Sequence, residues 1–270
     1  MSERRDAAGA AFQFLSRFPV KSQPGFSPEL LKRSVVYYPL VGAAIGLCTA
    51  LCAAAATLLL PPLPAAVITL ILWVGLTGGL HLDGWMDSAD ALLSYRPRER
   101  MLEIMKDSRV GAMGVLACVL LLMLKASLLA ALLEGSSLFE LPLLLLPLIW
   151  SRWFMVRAMS RWPLARAGEG LAGSFAGMPP LLERRALLSA ALLSLAAGAL
   201  PALGEGTAAW PLQLAAVLLL PGAAWICGTL AARRISSRLG GLTGDIYGAL
   251  NELLEAALLL LLVLLQHNLM

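Results

Sequence analysis

Charge is scarce in this sequence. Only 14% of its 270 residues are Asp, Glu, Lys or Arg, against about 25% in a soluble domain. Hydrophobic residues make up 59%. A deficit of that size exceeds what a large core produces, so lipid is the expected solvent. No long polar block is present that could fold separately, so one domain over 1–270 is expected. Cysteine is scarce too. Cys48, Cys52, Cys118 and Cys227 all fall in apolar runs without CxxC spacing, and they read as small buried hydrophobes. The start is not a secretory signal, because its weak apolar stretch is interrupted at Arg17. A GxxxxGK[ST] phosphate loop is missing. No internal repeat is evident, so an inverted-repeat transporter gains no support.

What is there is a series of apolar stretches near the ~20 residues that a spanning helix needs. They run 37–60, 65–82, 111–133, 141–159, 186–203, 211–231 and 249–267. The expected fold is therefore an all-α, polytopic transmembrane helix bundle of about seven spans over 37–267. Residues 1–36 form a cytoplasmic or interfacial segment, with 8–20 as a helix lying in the interface. The connections alternate in character. Pro61–Pro64, 134–140 and 204–210 hold Glu134, Glu140 and Glu205 but no Lys or Arg. The other connections and the N-terminal segment hold 18 of the 21 basic residues. By the positive-inside rule these are cytoplasmic, so the N-terminus is cytoplasmic and the C-terminus outside. The net charge of +4 is thus assigned to membrane orientation rather than to nucleic acid. Of the three basic residues inside spans, Lys125 is expected to snorkel outward. Arg152 and Arg157 either snorkel inward or meet an anionic substrate, Arg152 being the deeper.

The most informative stretch is HLDGWMDSAD, residues 81–90. On a helix, at about 100° per residue, Asp83, Asp87 and Asp90 share one face, with Ser94 a turn further on. Three like charges on one face repel, and more so where water is scarce. A hard divalent cation relieves this, and Mg²⁺ takes one or two carboxylates plus substrate phosphates. Asp83, Asp87 and Asp90 are the candidate metal ligands and catalytic residues, against a plain solvated acidic face. Gly78, Gly79 and Gly84 permit close backbone approach around them. His81 points away from that face, either as a structural polar residue or as a partner behind the ligands.

Three further polar segments lie on the same side. MKDSRVGAMG, 105–114, offers Lys106 and Arg109 as phosphate-binding types, with Asp107 between them, at a helix start whose free N–H groups attract anions. The bland alternative is a cap by Asp107 or Ser108. ARAGEGLAGSFAG, 165–177, is either a lid or a plain loop. LGGLTGDIYGALNELLE, 239–255, holds Thr243 and Asp245 in a glycine turn. Glu252 and Glu255 follow at the inner end of the last span. Intramembrane acids are functional candidates, with snorkelling as the alternative. A one-sided cluster of acids and bases fits an enzyme acting on a water-soluble, phosphate-containing substrate better than a transporter, whose charges belong at the midplane.

HLDGWMDSAD, KDSRVGAMG and LTGDIYGALNE resemble the motifs of the cobalamin synthase (adenosylcobinamide-GDP ribazoletransferase) family, as do FLSRFPV and YYPLVG. The likeness runs from about Phe12 to Glu255. Trp85, Met86, Ser88, Ala91 and Met113 depart from the family pattern, but all three carboxylates remain. The resemblance implies a Mg²⁺-dependent integral inner-membrane transferase with a cytoplasmic site. It would join adenosylcobinamide-GDP to α-ribazole or α-ribazole 5′-phosphate, releasing GMP. The candidate substrate-binding residues are His81, Lys106, Asp107, Arg109, Arg152, Thr243, Asp245, Glu252 and Glu255; one of the three carboxylates is expected to accept the proton, Asp90 by analogy with other membrane phosphotransferases. A homo-oligomer is compatible with it. The acidic motif is also similar to that of CDP-alcohol phosphotransferases, but the arginine expected there is missing.

Overall fold

The computed structural model describes residues 2–21, 27–135, 140–166, 170–199 and 210–269. Eleven helices occur among them: α1 (Ser2–Leu15), α2 (Pro28–Ser34), α3 (Tyr38–Thr57), α4 (Pro62–Thr77), α5 (Leu80–Leu92), α6 (Arg98–Ile104), α7 (Ala112–Gly135), α8 (Leu145–Arg161), α9 (Pro180–Ala199), α10 (Trp210–Leu239) and α11 (Gly244–Leu269). The all-α bundle stands as expected; the only β pairing among the described residues is one parallel bridge, Leu164 to Leu242.

Over their described residues, all seven apolar stretches are mainly helical. Five helical segments are long and apolar enough to cross a membrane: Pro28–Thr57, Ala112–Glu134, Leu141–Arg161, Trp210–Leu239 and Gly244–Leu269. The other two stretches are α4, with 16 residues, and α9, which carries Glu183, Arg184 and Arg185 near its start. Most of the outer connections, 136–139 and 200–209 with Glu205, lie outside the described residues. The second stretch does not continue to 82. It stops at Thr77, because Gly78 and Gly79 take left-handed φ of 65° and 74°, which costs glycine little. The chain then turns by 90° into α5. If α4 crosses the membrane, α5 runs along its surface. The interfacial helix expected over 8–20 instead spans Ser2–Leu15. Residues 16–20 leave it, and the Arg17 amide donates to the Leu76 carbonyl at 2.7 Å.

α8 is the axis of the bundle. Every residue from Leu145 to Val156 is buried. α3, α9, α10 and α11 pack around it. The outer faces of α7 and α10 present Leu116, Leu120, Leu214, Leu218 and Trp225 outward. In water such rows would be costly; in lipid they are not. Cys227 is exposed on that face and the other three thiols are partly so. They are therefore lipid-facing or half-covered rather than fully buried, and all four are free.

Lipid gives helices no hydrophobic reason to associate, so polar links matter. One network ties five helices. Lys125 of α7 does not snorkel. It turns inward, 2.5 Å from both Glu252 and Glu255 of α11, with its ammonium 4.8 Å from the Trp73 ring of α4. Glu255 also pairs with Arg152 of α8 and accepts from Asn251 Nδ2 at 3.0 Å. Asn251 Nδ2 lies 3.1 Å from His81 Nδ1 on α5. All six polar members are buried. Two cations meet two anions, so the group is neutral as a whole.

A buried ion pair broken on one side leaves an uncompensated charge, costing about 3–5 kcal/mol. Lys125→Met should therefore lower the unfolding midpoint markedly in detergent, and Lys125→Met with Glu252→Gln should recover part of the loss. Equal midpoints for wild type and the single variant would show that the network does not hold the bundle.

Candidate active site

α5 is placed by two close approaches to α11. A Cβ on Gly84 would lie 2.6 Å from the Asp245 carbonyl oxygen, and one on Gly248 would lie 3.3 Å from the His81 backbone. A side chain at Gly84 would clash and one at Gly248 would be tight, so the acidic face of α5 comes up against the start of α11. Asp83 is exposed and Asp87 is half-covered. Partial burial, with Asp83, Asp245 and Asp90 nearby, pushes the Asp87 carboxyl up to about 6. The acidic cluster at the mouth of the site is thus Asp83, Asp87 and a residue from another segment, Asp245.

Asp90 does something else. Its carboxylate accepts from the Gly111 amide at 2.7 Å and the Gly114 amide at 2.8 Å. These are the free N–H groups of the α7 start, so the anion that this helix terminus attracts is the protein's own side chain. The two glycines are needed because a Cβ at either position would press on the Asp90 carboxylate. Asp107 and Ser108 do not make this cap. Asp107 turns back to Arg109, accepting from its backbone amide at 3.0 Å and its Nη2 at 2.7 Å. That pairing holds the Asp107 carboxyl down at about 2. Arg109 is largely exposed.

The four polar segments meet around a cleft with two compartments. The larger, about 350 Å³, is bordered by Lys106, Arg166, Thr243 and Asp245. The smaller, about 180 Å³, is bordered by His81, Asp83, Gly84, Asp245 and Tyr247. They share Leu171, Ala172, Gly244 and Asp245. Residues 171–175 thus form part of the wall as a short 3₁₀ turn anchored by buried Phe175, while 167–169, with Gly168, lie outside the described residues. Backbone bonds fix the wall. The Ala165 amide donates to Leu242 O at 2.9 Å, and the Leu242 amide to Pro163 O at 2.8 Å. Arg98 clamps both strips, donating to Leu239 O at 2.7 Å and Ala165 O at 3.0 Å. Thr243 caps α11, accepting from the Ile246 amide at 3.3 Å.

The cleft therefore gathers His81, Asp83, Lys106, Thr243 and Asp245 from the sequence-based set, with Asp87 electrostatically coupled to it. It does not gather Arg152, Glu252 or Glu255, which sit in the buried network. Nor are Asp107 and Arg109 among the residues that border it; they pair with each other. Arg166 was not singled out by the sequence, where it is one of many inner-side arginines. His81 joins network to cleft. The Glu255 carboxylate makes Asn251 present its NH₂ group, so His81 Nδ1 accepts and the ring hydrogen resides on Nε2. Nε2 is buried without a partner among the described residues.

No group of three His, Cys, Asp or Glu side chains among the described residues is arranged to hold a metal ion by itself. The full Asp83, Asp87 and Asp90 ligand set is thus not assembled, with Asp90 engaged on α7. What remains is mutually repelling carboxylates beside a phosphate-sized space, and this suits a cation shared between one or two carboxylates and a substrate.

The family model for cobalamin-5-phosphate synthase matches residues 7–263. The chain belongs to this family. A Brevibacillus brevis protein named adenosylcobinamide-GDP ribazoletransferase is 40% identical, the match covering 94% of this chain and 96% of the relative. Relatives of the same name from Desulfitobacterium hafniense and Pseudomonas fluorescens are 43% and 41% identical, each match covering 93% of this chain and 93% and 96% of the relative respectively. No solved structure matches. The family assignment accords with a membrane-embedded transferase whose polar segments converge on one cleft.

The raised Asp87 value sets a pH dependence. The folded state holds that proton more tightly than the unfolded chain, so its contribution is present below about pH 4 and lost as pH rises through about 6. With chelator present, Asp87→Asn should flatten the fall in unfolding midpoint across this window and should be more stable than wild type above it. Parallel profiles for the two proteins would remove Asp87 from the acidic cluster.

Proposed function

We propose that this protein joins adenosylcobinamide-GDP to α-ribazole or its 5′-phosphate, releasing GMP, at a site on the cytoplasmic face of the inner membrane. The carrying observation is the cleft, where carboxylates of two segments face cationic side chains of two others. The family relatives bear the name of this activity. The side of the membrane rests on the concentration of basic residues in the segments that build the cleft.

In the reaction a ribose hydroxyl oxygen of the ribazole, not the 5′ one that its 5′-phosphate form has esterified, bonds to the phosphorus nearer cobinamide. The bond from that phosphorus to the bridging oxygen breaks, and GMP leaves with the bridging oxygen. The attacking hydroxyl loses its proton. Such transfers depend on positioning and on neutralising charge. Asp83 and Asp87, with Asp245 across the cleft, are the residues that would hold Mg²⁺ together with the diphosphate. That cation would supply charge neutralisation on the diphosphate oxygens. His81, as a neutral Nε2–H donor bordering the cleft, suits an acceptor oxygen of the substrate. Asp90 serves by holding α7, and accepting the proton would mean releasing two amides. Asp87, with its raised carboxyl value, is the better proton acceptor.

A cation-coupled transporter fits less well, since Glu252 and Glu255 are already paired and dry. A CDP-alcohol phosphotransferase is favoured by nothing beyond the acidic motif, which lacks the expected arginine.

Purified protein in lipid nanodiscs should release GMP only when both substrates and Mg²⁺ are present. Asp83→Ala and Asp245→Ala should each lower kcat by about 10²-fold or more while the unfolding midpoint stays near that of wild type. Full turnover by either variant in saturating Mg²⁺ would refute its assignment to the metal.

A further inference from the structure

The larger compartment of the cleft contains a guanidinium whose one ion-pair contact among the described residues, with Asp245, is long. Arg166 Nε and Nη2 are buried and have no hydrogen-bond partner among the described residues. The nearest carboxylate oxygen, on Asp245, is 4.0 Å away, beyond hydrogen-bond length. Donors taken out of water and left unbonded are costly. The backbone of the residue before it is held by the Leu242 pairing and by Arg98.

Two more features on the same walls carry positive potential. Lys106 reaches the compartment from the segment before α7, and Thr243 and Gly244 bring the start of the 26-residue α11 to it. A helix start adds partial positive charge. A planar guanidinium fork, an ammonium and a helix N-terminus around about 350 Å³ match a phosphate ester, which a fork can bind through two oxygens. Asp83 borders only the other compartment, while Asp245 borders both.

We propose that Arg166, Lys106 and the α11 N-terminus form the seat for the phosphate of the nucleotide half of the substrate, and that the nucleoside monophosphate occupies this seat when transfer is complete. This rests on the transferase reading above. It divides the cleft: one compartment works on the phosphorus under attack, the other grips the departing phosphate. GMP is then a product inhibitor competing with adenosylcobinamide-GDP and not with ribazole. A phosphate ester at a membrane surface could also belong to a lipid headgroup, and the test separates the two.

The probe is labelled GMP, measured by equilibrium dialysis against the full chain in phosphatidylcholine nanodiscs. Wild type should bind it, inorganic phosphate should compete, and Arg166→Gln should weaken binding about 10- to 100-fold. Arg166→Lys, which keeps the charge but not the fork, should fall between. In turnover, Arg166→Gln should raise KM for adenosylcobinamide-GDP and leave KM for ribazole unchanged. GMP binding that ignores Arg166, in wild-type protein that turns over, overturns the seat and leaves the transferase reading standing. Phosphatidylglycerol that displaces GMP from wild type and stabilises it more than Arg166→Gln supports the shared phosphate chemistry. The same lipid effect with no GMP binding assigns the seat to a headgroup and overturns the nucleotide role. Arg166-dependent GMP binding without turnover supports the seat and sinks the transferase reading alone.

Discussion

Four opposed charges buried away from water hold this bundle in register. Lys125, Arg152, Glu252 and Glu255 come from three helices, and Trp73, Asn251 and His81 extend the link to two more. In lipid there is no hydrophobic gradient to press helices together, and none of these charges can turn to water. Their only satisfied state is the assembled one. The network therefore fixes α11 against α7 and α8, and through Asn251 it sets the rotation of α5. The side of α5 that turns towards the network holds His81; the opposite side holds the acids.

The acidic face was legible in the sequence because helical geometry alone puts Asp83 and Asp87 together. The convergence of four polar segments was legible from the alternation of basic connections, and the cleft bears it out. Other features were not legible, for identifiable reasons. The partner of Lys125 lies more than a hundred residues away in the chain, and nothing local distinguishes pairing from snorkelling. Asp90 has the same spacing as its neighbours; only the arrival of α7 separates its work from theirs. Arg166 sits in a loop whose geometry comes from backbone bonds to Leu242, and no side-chain pattern announces such bonds. The break before α5 was visible as Gly78 and Gly79, but glycine permits a straight chain as well as a turn, so their left-handed φ had to be seen.

The glycines of the three motifs include two that let backbones meet and two that make room for a side chain. Gly84 and Gly248 allow α5 and α11 to touch; Gly111 and Gly114 allow a carboxylate to reach amides. Neither pair was required by a phosphate, although phosphate binding is the usual reason to expect glycine at a helix start. The anion-attracting end of α7 is consumed within the protein, so the positive side of the cleft rests on Lys106 and Arg166 beside the start of α11.

The placement of Asp90 also bears on how the acidic motif is to be dissected. Three aspartates at helical spacing invite one common role, yet they answer to two separate demands. Removing Asp83 or Asp87 strips charge from an open cleft and relieves repulsion. Removing Asp90 unlatches a long membrane helix at its first turn. An alanine scan scored by lost product alone would file all three under chemistry. Only a parallel record of how much folded protein survives would sort the latch from the ligands.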